Sequence, residues 1–218
     1  MDLVLDFLKK ISRNNNREWF EKNKPKYLEV KSYWDEFAAE LFEEIVLFDE
    51  SIAGQDPKKT TFRIYRDVRF SKDKTPYKNN MSAAFSSVGK SMGKPGYYIQ
   101  IEPNNKSFIA VGQYMPEPDS LSKIRQEIDY SGDRLAAIVK EKTFKKNFKT
   151  LWDDGALKNA PKGYPKDHPY VDWLRLKSFI VMHEFTDKEV LSKKFMKNVA
   201  SIATAGKPLN DFLQQASD

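Results

Sequence analysis

The 218-residue chain is long enough to bury one sizeable hydrophobic core, and its hydrophobic (40%) and aromatic (13%) content argues against disorder. Because it contains no cysteine, disulfides, thiolate metal sites and cysteine nucleophiles are excluded. The net charge of +6 comes mainly from lysines spread along the chain, which is typical of a solvated surface rather than of a dense polyanion site.

The first residues, Met1 to Leu8, are predicted to form an amphipathic helix. They lack the basic region of a secretory signal. No apolar run in the sequence approaches the length needed to cross a bilayer. We therefore expect a cytoplasmic protein with no membrane segment.

The clearest predicted helix begins at Asn23-Lys24-Pro25, because proline is tolerated in the first turn of a helix. Apolar residues then recur at helical spacing: Tyr27, Val30, Trp34, Phe37, Leu41, Ile45 and Phe48. The acidic side chains on the other face are typical of a solvated surface. Helices are therefore predicted to occupy about residues 2–50.

From Thr61 the hydrophobic period changes to two, which is typical of strands. The predicted strands are Phe62 to Phe70, Met81 to Val88, Tyr97 to Glu102 and Phe108 to Tyr114. Their short, turn-rich connections favour an antiparallel meander over about residues 61–114, because parallel crossovers need longer connections. Phe179 to Met182 is a candidate for an additional strand.

Helices are predicted to resume after Pro116. The first of these helices is indicated by a shared apolar face of Leu121, Ile124 and Ile128. Gly132 separates it from a second helix that begins near Asp133. A short helix is predicted from His168 to Leu174. The sequence Thr186-Asp187-Lys188-Glu189 matches a capping box and is predicted to open the final helix.

Together these elements predict an α+β fold in a single domain that spans residues 1–218. A central antiparallel meander sheet of about four to five strands is flanked by the amino-terminal helices and by a mainly helical part at about residues 116–215. The oligomeric state is not predicted.

Known catalytic and cofactor motifs are absent. Gly89-Lys90-Ser91 resembles the end of a phosphate-binding loop, but Ala84 stands where its first glycine should be. The two histidines, His168 and His183, do not form a metal-ligand pattern, so we predict neither a metal nor a cofactor. His168 is a weak candidate for acid–base work, since its position before Pro169 is more typical of a helix entry.

The segment from Arg63 to Lys78 is unusually polar for a strand. If residues 62–70 formed a strand, alternation would place Arg63, Tyr65, Asp67 and Arg69 on one face. Arg66 would then lie on the apolar face, where it would need a bulge or a carboxylate partner. The same face would carry small or polar residues from the neighbouring strands: Ser82, Ala84, Ser86, Tyr98, Gln100, Glu102, Ala110, Gly112 and Tyr114.

This pattern predicts a binding site for a small anion, because arginine binds carboxylate or phosphate groups in a bidentate manner. The predicted ligand-binding residues are Arg63, Asp67, Arg69, Lys72, Lys74, Tyr77, Lys78, Tyr98 and Gln100. If the protein is an enzyme, which no motif decides, Asp67 is the candidate acid or base.

Three alternatives remain open. The charges of Arg63, Asp67, Arg69, Glu102 and also Asp73 could form an ion-pair network that joins the sheet to a covering helix and needs no ligand. The protein could be a nucleic-acid-binding module that uses its lysines on phosphates and Tyr98 and Tyr114 for stacking, although it lacks a recognisable motif. It could also be a scaffold protein with no ligand.

The run from Phe62 to Lys78 closely resembles the hallmark of a bacterial and fungal family, domain of unknown function 2461. Further blocks follow in the family's order: Asn16 to Phe20, Gly96 to Tyr98, Ile101 to Pro103, Met115 to Pro118, Pro161 to Tyr164, Asp167 to Pro169 and Leu174 to Phe179. The segment from Asn79 to Phe85 departs from the His-Ile-Gly-Ala type of the family. The resemblance implies one full-length domain, and it implies no activity, cofactor or catalytic residue.

Overall fold

The structure, a computed structural model, describes residues 1–91 and 93–217. The elements in chain order are α1 (Asp2–Arg13), α2 (Arg17–Lys22), α3 (Lys24–Val46), β1 (Met81–Ser86), β2 (Gly96–Ile101), β3 (Ser107–Gln113), α4 (Pro118–Lys140), α5 (Lys142–Asn147), α6 (Val171–Leu174), β4 (Phe179–Phe185), α7 (Asp187–Val190) and α8 (Phe195–Ser217). Two short 3-10 turns, Glu50–Ile52 and Pro57–Lys59, lie between α3 and β1. Within the described residues, no helix is both long and apolar enough to span a bilayer.

The strands form one antiparallel sheet in the order β1-β2-β3-β4. This confirms the predicted α+β fold with a central meander. The candidate strand from Phe179 to Met182 is also confirmed. It is β4, which continues to Phe185 and pairs with β3. The pairs Ala83–Ile99, Ile99–Ile109 and Ile109–His183 fix the register across all four strands.

The predicted strand from Phe62 to Phe70 is wrong. Only Thr61 forms a bridge to β1, after which the chain leaves the sheet and folds back on itself through a Tyr65–Tyr77 bridge. Hydrogen bonds from Arg66 N to Pro76 O (2.9 Å) and from Lys78 N to Ile64 O (2.8 Å) close this short ribbon. The alternating pattern therefore serves a local hairpin, and Phe70 at its tip is 96% exposed.

Helix α8 covers one face of the sheet. At Gly206 the helix lies so close to β3 that a Cβ atom would come within 2.8 Å of the Val111 side chain. Asn210 of the same helix donates a hydrogen bond to Gly96 O on β2 (3.2 Å). The buried core continues from this face to α3, where the rings of Phe37 and Phe195 stack 5.9 Å apart. Helix α8 therefore leaves the opposite face of the sheet uncovered.

The helix predictions are confirmed in outline and corrected in one detail. Helix α3 has Pro25 in its first turn, as predicted. The predicted division near Gly132 is confirmed: α4 consists of two helical parts joined by a kink at Ser131, whose φ of −128° and ψ of 28° are not helical. The capping box at Thr186 is present, but it opens the single turn of α7, so the prediction that it opens the final helix is wrong. The chain turns again before α8 begins at Phe195.

Candidate functional site

The face of the sheet opposite α8 is built largely from small side chains. The register aligns three rows of residues: Ser82, Gln100, Phe108 and Glu184; Ala84, Tyr98, Ala110 and Met182; and Ser86, Gly96, Gly112 and Ile180. The alternation expected for β1, β2 and β3 therefore holds. The charged segment from Arg63 to Arg69, which was predicted to lie beside them on this face, is outside the sheet. We call this surface the open face.

A hollow of about 430 Å³ lies on the open face. It is lined by Tyr98, Phe108, Ala110, Gly112, Tyr114, Trp152, Ile180 and Met182. The rings of Tyr98 and Phe108 lie 5.7 Å apart, and those of Tyr114 and Trp152 are separated by the same distance. With Ala110 and Gly112 between these aromatic pairs, the hollow has a low floor and aromatic walls, which suits a flat apolar group.

Trp152 reaches the hollow from outside the sheet. It follows α5, and its backbone N–H donates a hydrogen bond to Ile180 O at the edge of β4 (2.8 Å). This hydrogen bond attaches the Trp152 backbone to the free edge of β4, and the indole ring packs against the ring of Tyr114. One wall of the hollow therefore depends on a segment distant in sequence from the central strands.

A chain of polar side chains runs along β2 beside the hollow. The Tyr98 hydroxyl donates to Gln100 Oε1 (2.8 Å), and Gln100 Nε2 donates to Glu102 Oε2 (2.9 Å). Burial raises the pKa of Tyr98 above its ordinary value. The Tyr98 hydroxyl therefore keeps its proton at neutral pH and provides an orienting polar group at the rim of an otherwise apolar hollow.

Cationic side chains gather around Phe62, at the β1 edge of the open face. The ring of Phe62 lies 6.2 Å from that of Tyr98. The Nζ atoms of Lys78 and Lys90 lie 5.4 Å and 5.7 Å from the centre of the Phe62 ring. Burial lowers the pKa of Lys78, and the nearby charges of Arg63 and Lys90 lower it further. We call Arg63, Lys78 and Lys90 the cationic edge.

The cationic edge is not neutralised by ion pairs. Among the residues that the structure describes, none of Arg63, Lys78 and Lys90 forms a salt bridge with an aspartate or glutamate. Neighbouring like charges raise the electrostatic potential, and a bound anion would lower their mutual repulsion. This edge can therefore attract an anionic group.

The loop over residues 67–75 is held together by its own side chains. Arg66 contacts the side chains of Asp73 and Thr75 and donates to Thr75 O (3.3 Å). Arg66 therefore has the carboxylate partner that the sequence required. Backbone and side-chain hydrogen bonds from Thr75, together with Arg66, lower the pKa of Asp73 to about 2. The loop is thus fixed locally, without a contribution from the sheet.

The predicted ligand-binding residues are divided between the sheet and this loop. Arg63, Lys78, Tyr98 and Gln100 lie at or beside the open face. The others do not join them. Asp67 and Arg69 pair with each other (2.7 Å) at the exposed tip, Lys74 donates to Val68 O (2.9 Å), and Lys72 is exposed. Tyr77 is buried and stacks on Phe20, with ring centres 4.0 Å apart.

The two histidines have local hydrogen-bond partners. His168 Nε2 lies 3.0 Å from Asp129 Oδ1, and His168 Nδ1 accepts a hydrogen bond from Tyr170 N (3.0 Å). His168 thereby ties α4 to the entry of α6. His183 Nδ1 contacts Asn147 O (2.7 Å). Over residues 1–91 and 93–217, no group of three or more histidines and acidic residues is placed to hold a metal ion.

Several residues of the site were not predicted from the sequence. Phe108 and Met182 could have been found by extending the alternation two residues from Ala110 and across to the additional strand. Lys90 and Trp152 carry no such signal, because each lies outside the regular elements and reaches the open face through tertiary packing.

The comparisons with known proteins bear on the family of the chain and not on its chemistry. A family model described as a conserved hypothetical protein, DUF2461, matches residues 3–212. No curated protein and no solved structure matches the chain at a significant level. The matched region contains the ribbon of residues 64–78, all four strands and the cationic edge. The chain therefore belongs to the DUF2461 family of conserved hypothetical proteins.

Proposed function

We propose that the open face binds a small molecule that has a flat apolar body and an anionic group. The observation that carries the proposal is the hollow between two aromatic pairs, which is connected to the cationic edge through the neighbouring rings of Tyr98 and Phe62. The hollow would take the apolar body, and Arg63, Lys78 and Lys90 would face the anion. Tyr98 lies between the two regions, where its hydroxyl can orient the ligand.

The shape of the hollow favours a planar group. Its volume of about 430 Å³ lies within the range of roughly 300–1,000 Å³ that is common for ligand pockets. Ala110 and Gly112 have almost no side chain, so a ring can approach the sheet backbone closely. Aromatic rings stack favourably on aromatic walls at such separations, and burial of an apolar body adds the hydrophobic contribution.

The charge of the edge favours an anion. Lys78 is half-buried, and a partly desolvated ammonium interacts more strongly with an opposite charge than an exposed one does. Arg63 adds a planar donor that suits a carboxylate or phosphate. Asp67 and Arg69 form an ion pair with each other in the loop, so we propose no direct contact between these two residues and the ligand.

A neighbouring groove makes single-stranded nucleic acid the second candidate. This groove shares Trp152 and Met182 with the hollow and is also lined by Lys145, Lys146 and Lys149. Bases could stack on the aromatic side chains while phosphates meet the lysines. The same groove carries Asp153 and Glu184, however, whose charges oppose a polyanion, so we place this candidate second.

Binding can be tested through the fluorescence of Trp152 and through thermal stability. The compounds should be flat aromatic carboxylates and phosphates, their uncharged analogues, aliphatic anions and short single-stranded oligonucleotides, each at two salt concentrations. A ligand present at one hundred times its Kd adds about 2.7 kcal/mol to the free energy of unfolding. A flat anionic compound should change the fluorescence of the wild type but not of Trp152→Phe.

Three variants separate the parts of the site. Ala110→Phe fills the hollow and should abolish binding of every flat compound. Lys78→Met should weaken anionic compounds and leave their uncharged analogues unaffected, whereas Lys106→Met, at an exposed turn outside the site, should change neither. Equal binding by wild type and Ala110→Phe would refute the proposed site. Binding restricted to oligonucleotides and abolished by salt would favour the second candidate.

Two broader expectations also remain proposals. We propose that the chain acts as a single domain, supported by a buried core that includes residues from α1 to α8 and by a family match over residues 3–212. We further propose a cytoplasmic location in a bacterial cell, supported by the absence of cysteine and by the family resemblance.

A further inference from the structure

We propose that Lys78 is a nucleophilic amine that forms an imine with an aldehyde or ketone bound on the open face. The inference rests on the proposed function, because the hollow holds the apolar body of the carbonyl compound. It adds the class of ligand and a covalent step. The geometry that supports it is a half-buried Lys78 amine that lies near the same aromatic ring as the Lys90 amine and has no acidic partner among the described residues.

The Lys78 amine differs from neighbouring lysine amines in its partners. Lys90 Nζ donates to Thr61 O (3.1 Å), and Lys74 Nζ donates to Val68 O (2.9 Å). In the part of the chain that the structure describes, Lys78 Nζ has neither a hydrogen-bond acceptor nor an acidic partner, and it lies over the ring of Phe62. Among the described residues, the half-buried ammonium ion therefore has a cation–π contact with Phe62, and no carboxylate, to offset its loss of solvation.

The acidic groups around this edge are already engaged. Asp35 of α3 accepts a hydrogen bond from Thr61 Oγ1 (2.9 Å) and pairs with Lys31. Glu102 accepts from Gln100 at the other side of Tyr98. Neither carboxylate forms an ion pair with Lys78, and the charged groups that shift the pKa of Lys78 are Arg63 and Lys90, both of which oppose its protonation.

These surroundings raise the neutral fraction of the Lys78 amine above that of an exposed lysine. Burial lowers the pKa of Lys78, and Arg63 and Lys90 act in the same direction. Lysines that act as nucleophiles are activated in this way, by desolvation or by a neighbouring cation, because only the neutral amine has a free electron pair. The same two cations can hold an anionic group of the ligand close to the amine.

The proposed step is a condensation. The electron pair of Lys78 Nζ forms a bond to the carbonyl carbon, and the π electrons of the C=O bond move to the oxygen. A proton passes from nitrogen to that oxygen and gives a carbinolamine. Loss of the oxygen as water, with a second proton from nitrogen, leaves the C=N bond of the imine. No oxidant or reductant is required, and hydrolysis reverses the step.

The imine can be trapped by reduction and located by peptide mass spectrometry. The probe is meta-carboxybenzaldehyde, a flat aromatic aldehyde whose carboxylate lies on the same side of the ring as the aldehyde, and cyanoborohydride converts its imine to a stable amine. Near neutral pH, Lys78 should be labelled faster than every other lysine, and Lys78→Arg should lack this label. Lys90→Gln should slow the labelling of Lys78 and shift its pH profile upward, because one opposing charge is removed. Labelling of Lys78 at the rate of exposed lysines would overturn the proposal.

Two further probes distinguish failure of this inference from failure of the proposed function. Acetaldehyde is too small to depend on the hollow, and para-methylbenzoate fills the hollow without a carbonyl that can react. If Lys78 reacts quickly with acetaldehyde but Ala110→Phe does not slow its reaction with meta-carboxybenzaldehyde, the nucleophile stands and the hollow fails. If para-methylbenzoate binds, as judged by Trp152 fluorescence, while Lys78 shows no enhanced labelling, the proposed function stands and the nucleophile is refuted.

Discussion

Replacement of Gly112 by alanine should destabilise the sheet strongly. Gly112 has a φ of +129°, a conformation that residues with a side chain rarely adopt. A Cβ atom would also lie 2.0 Å from Phe179 O and 2.8 Å from Ile180 Cα, both of which belong to the backbone of β4. The strained backbone costs about 1–3 kcal/mol and the forced displacement a similar amount, so the total loss is roughly 2–6 kcal/mol.

This loss can be measured by urea unfolding of the wild type and Gly112→Ala. A matched control is Gly54→Ala, because a Cβ atom at Gly54 has no atom within 4 Å and its φ is not in the left-handed region. The control should keep its stability or gain up to about 1 kcal/mol from a less flexible unfolded chain. If Gly112→Ala loses less than about 1 kcal/mol with an unchanged dependence on urea, the close approach of β3 and β4 is refuted.

Two further predictions concern stability. Thr186→Ala removes the side chain that caps α7 and should lower the free energy of unfolding by about 1 kcal/mol in urea titrations; an unchanged midpoint would show that the capping box does not stabilise the fold. Burial raises the pKa of Tyr27 from 10.0 to about 12, so its neutral form stabilises the fold fully below pH 10, and this contribution is lost as the pH rises through about 12. The free energy of unfolding of the wild type should therefore fall relative to that of Tyr27→Phe over that interval, and a constant difference would contradict the assignment.

Much of the fold could be predicted because its elements have a clear hydrophobic period. The apolar face of α3 and the alternation in β1, β2 and β3 are local patterns, and short turns indicated how the strands connect. The fourth strand was recognisable only as a short apolar run. Its pairing with β3 could not be derived, since Phe179–Phe185 is separated from β3 by three helices.

The segment after Thr61 shows where local pattern is insufficient. An alternating sequence is compatible with a strand of the sheet and also with a short ribbon. The choice is made by distant residues: Asn15 Nδ2 donates to Tyr77 O (2.9 Å), Tyr77 N donates to Asn15 Oδ1 (3.1 Å), and Phe20 stacks on the Tyr77 ring. These contacts draw the segment towards α1 and α2 and away from the edge of β1.

The position of the candidate site follows from how charges are paired, which the sequence does not show. The sequence indicated that Arg66 needs a carboxylate, but it did not show which of the other cations are paired; in the structure Arg66 is bonded to Asp73 and Arg69 to Asp67 within the loop. Lys78 has no such partner among the described residues and lies over Phe62, beside Tyr98 and the hollow. A charge that is partly desolvated and unpaired is costly unless a ligand compensates it. Such a group, close to an apolar hollow with aromatic walls, is the observation on which the proposal of ligand binding rests.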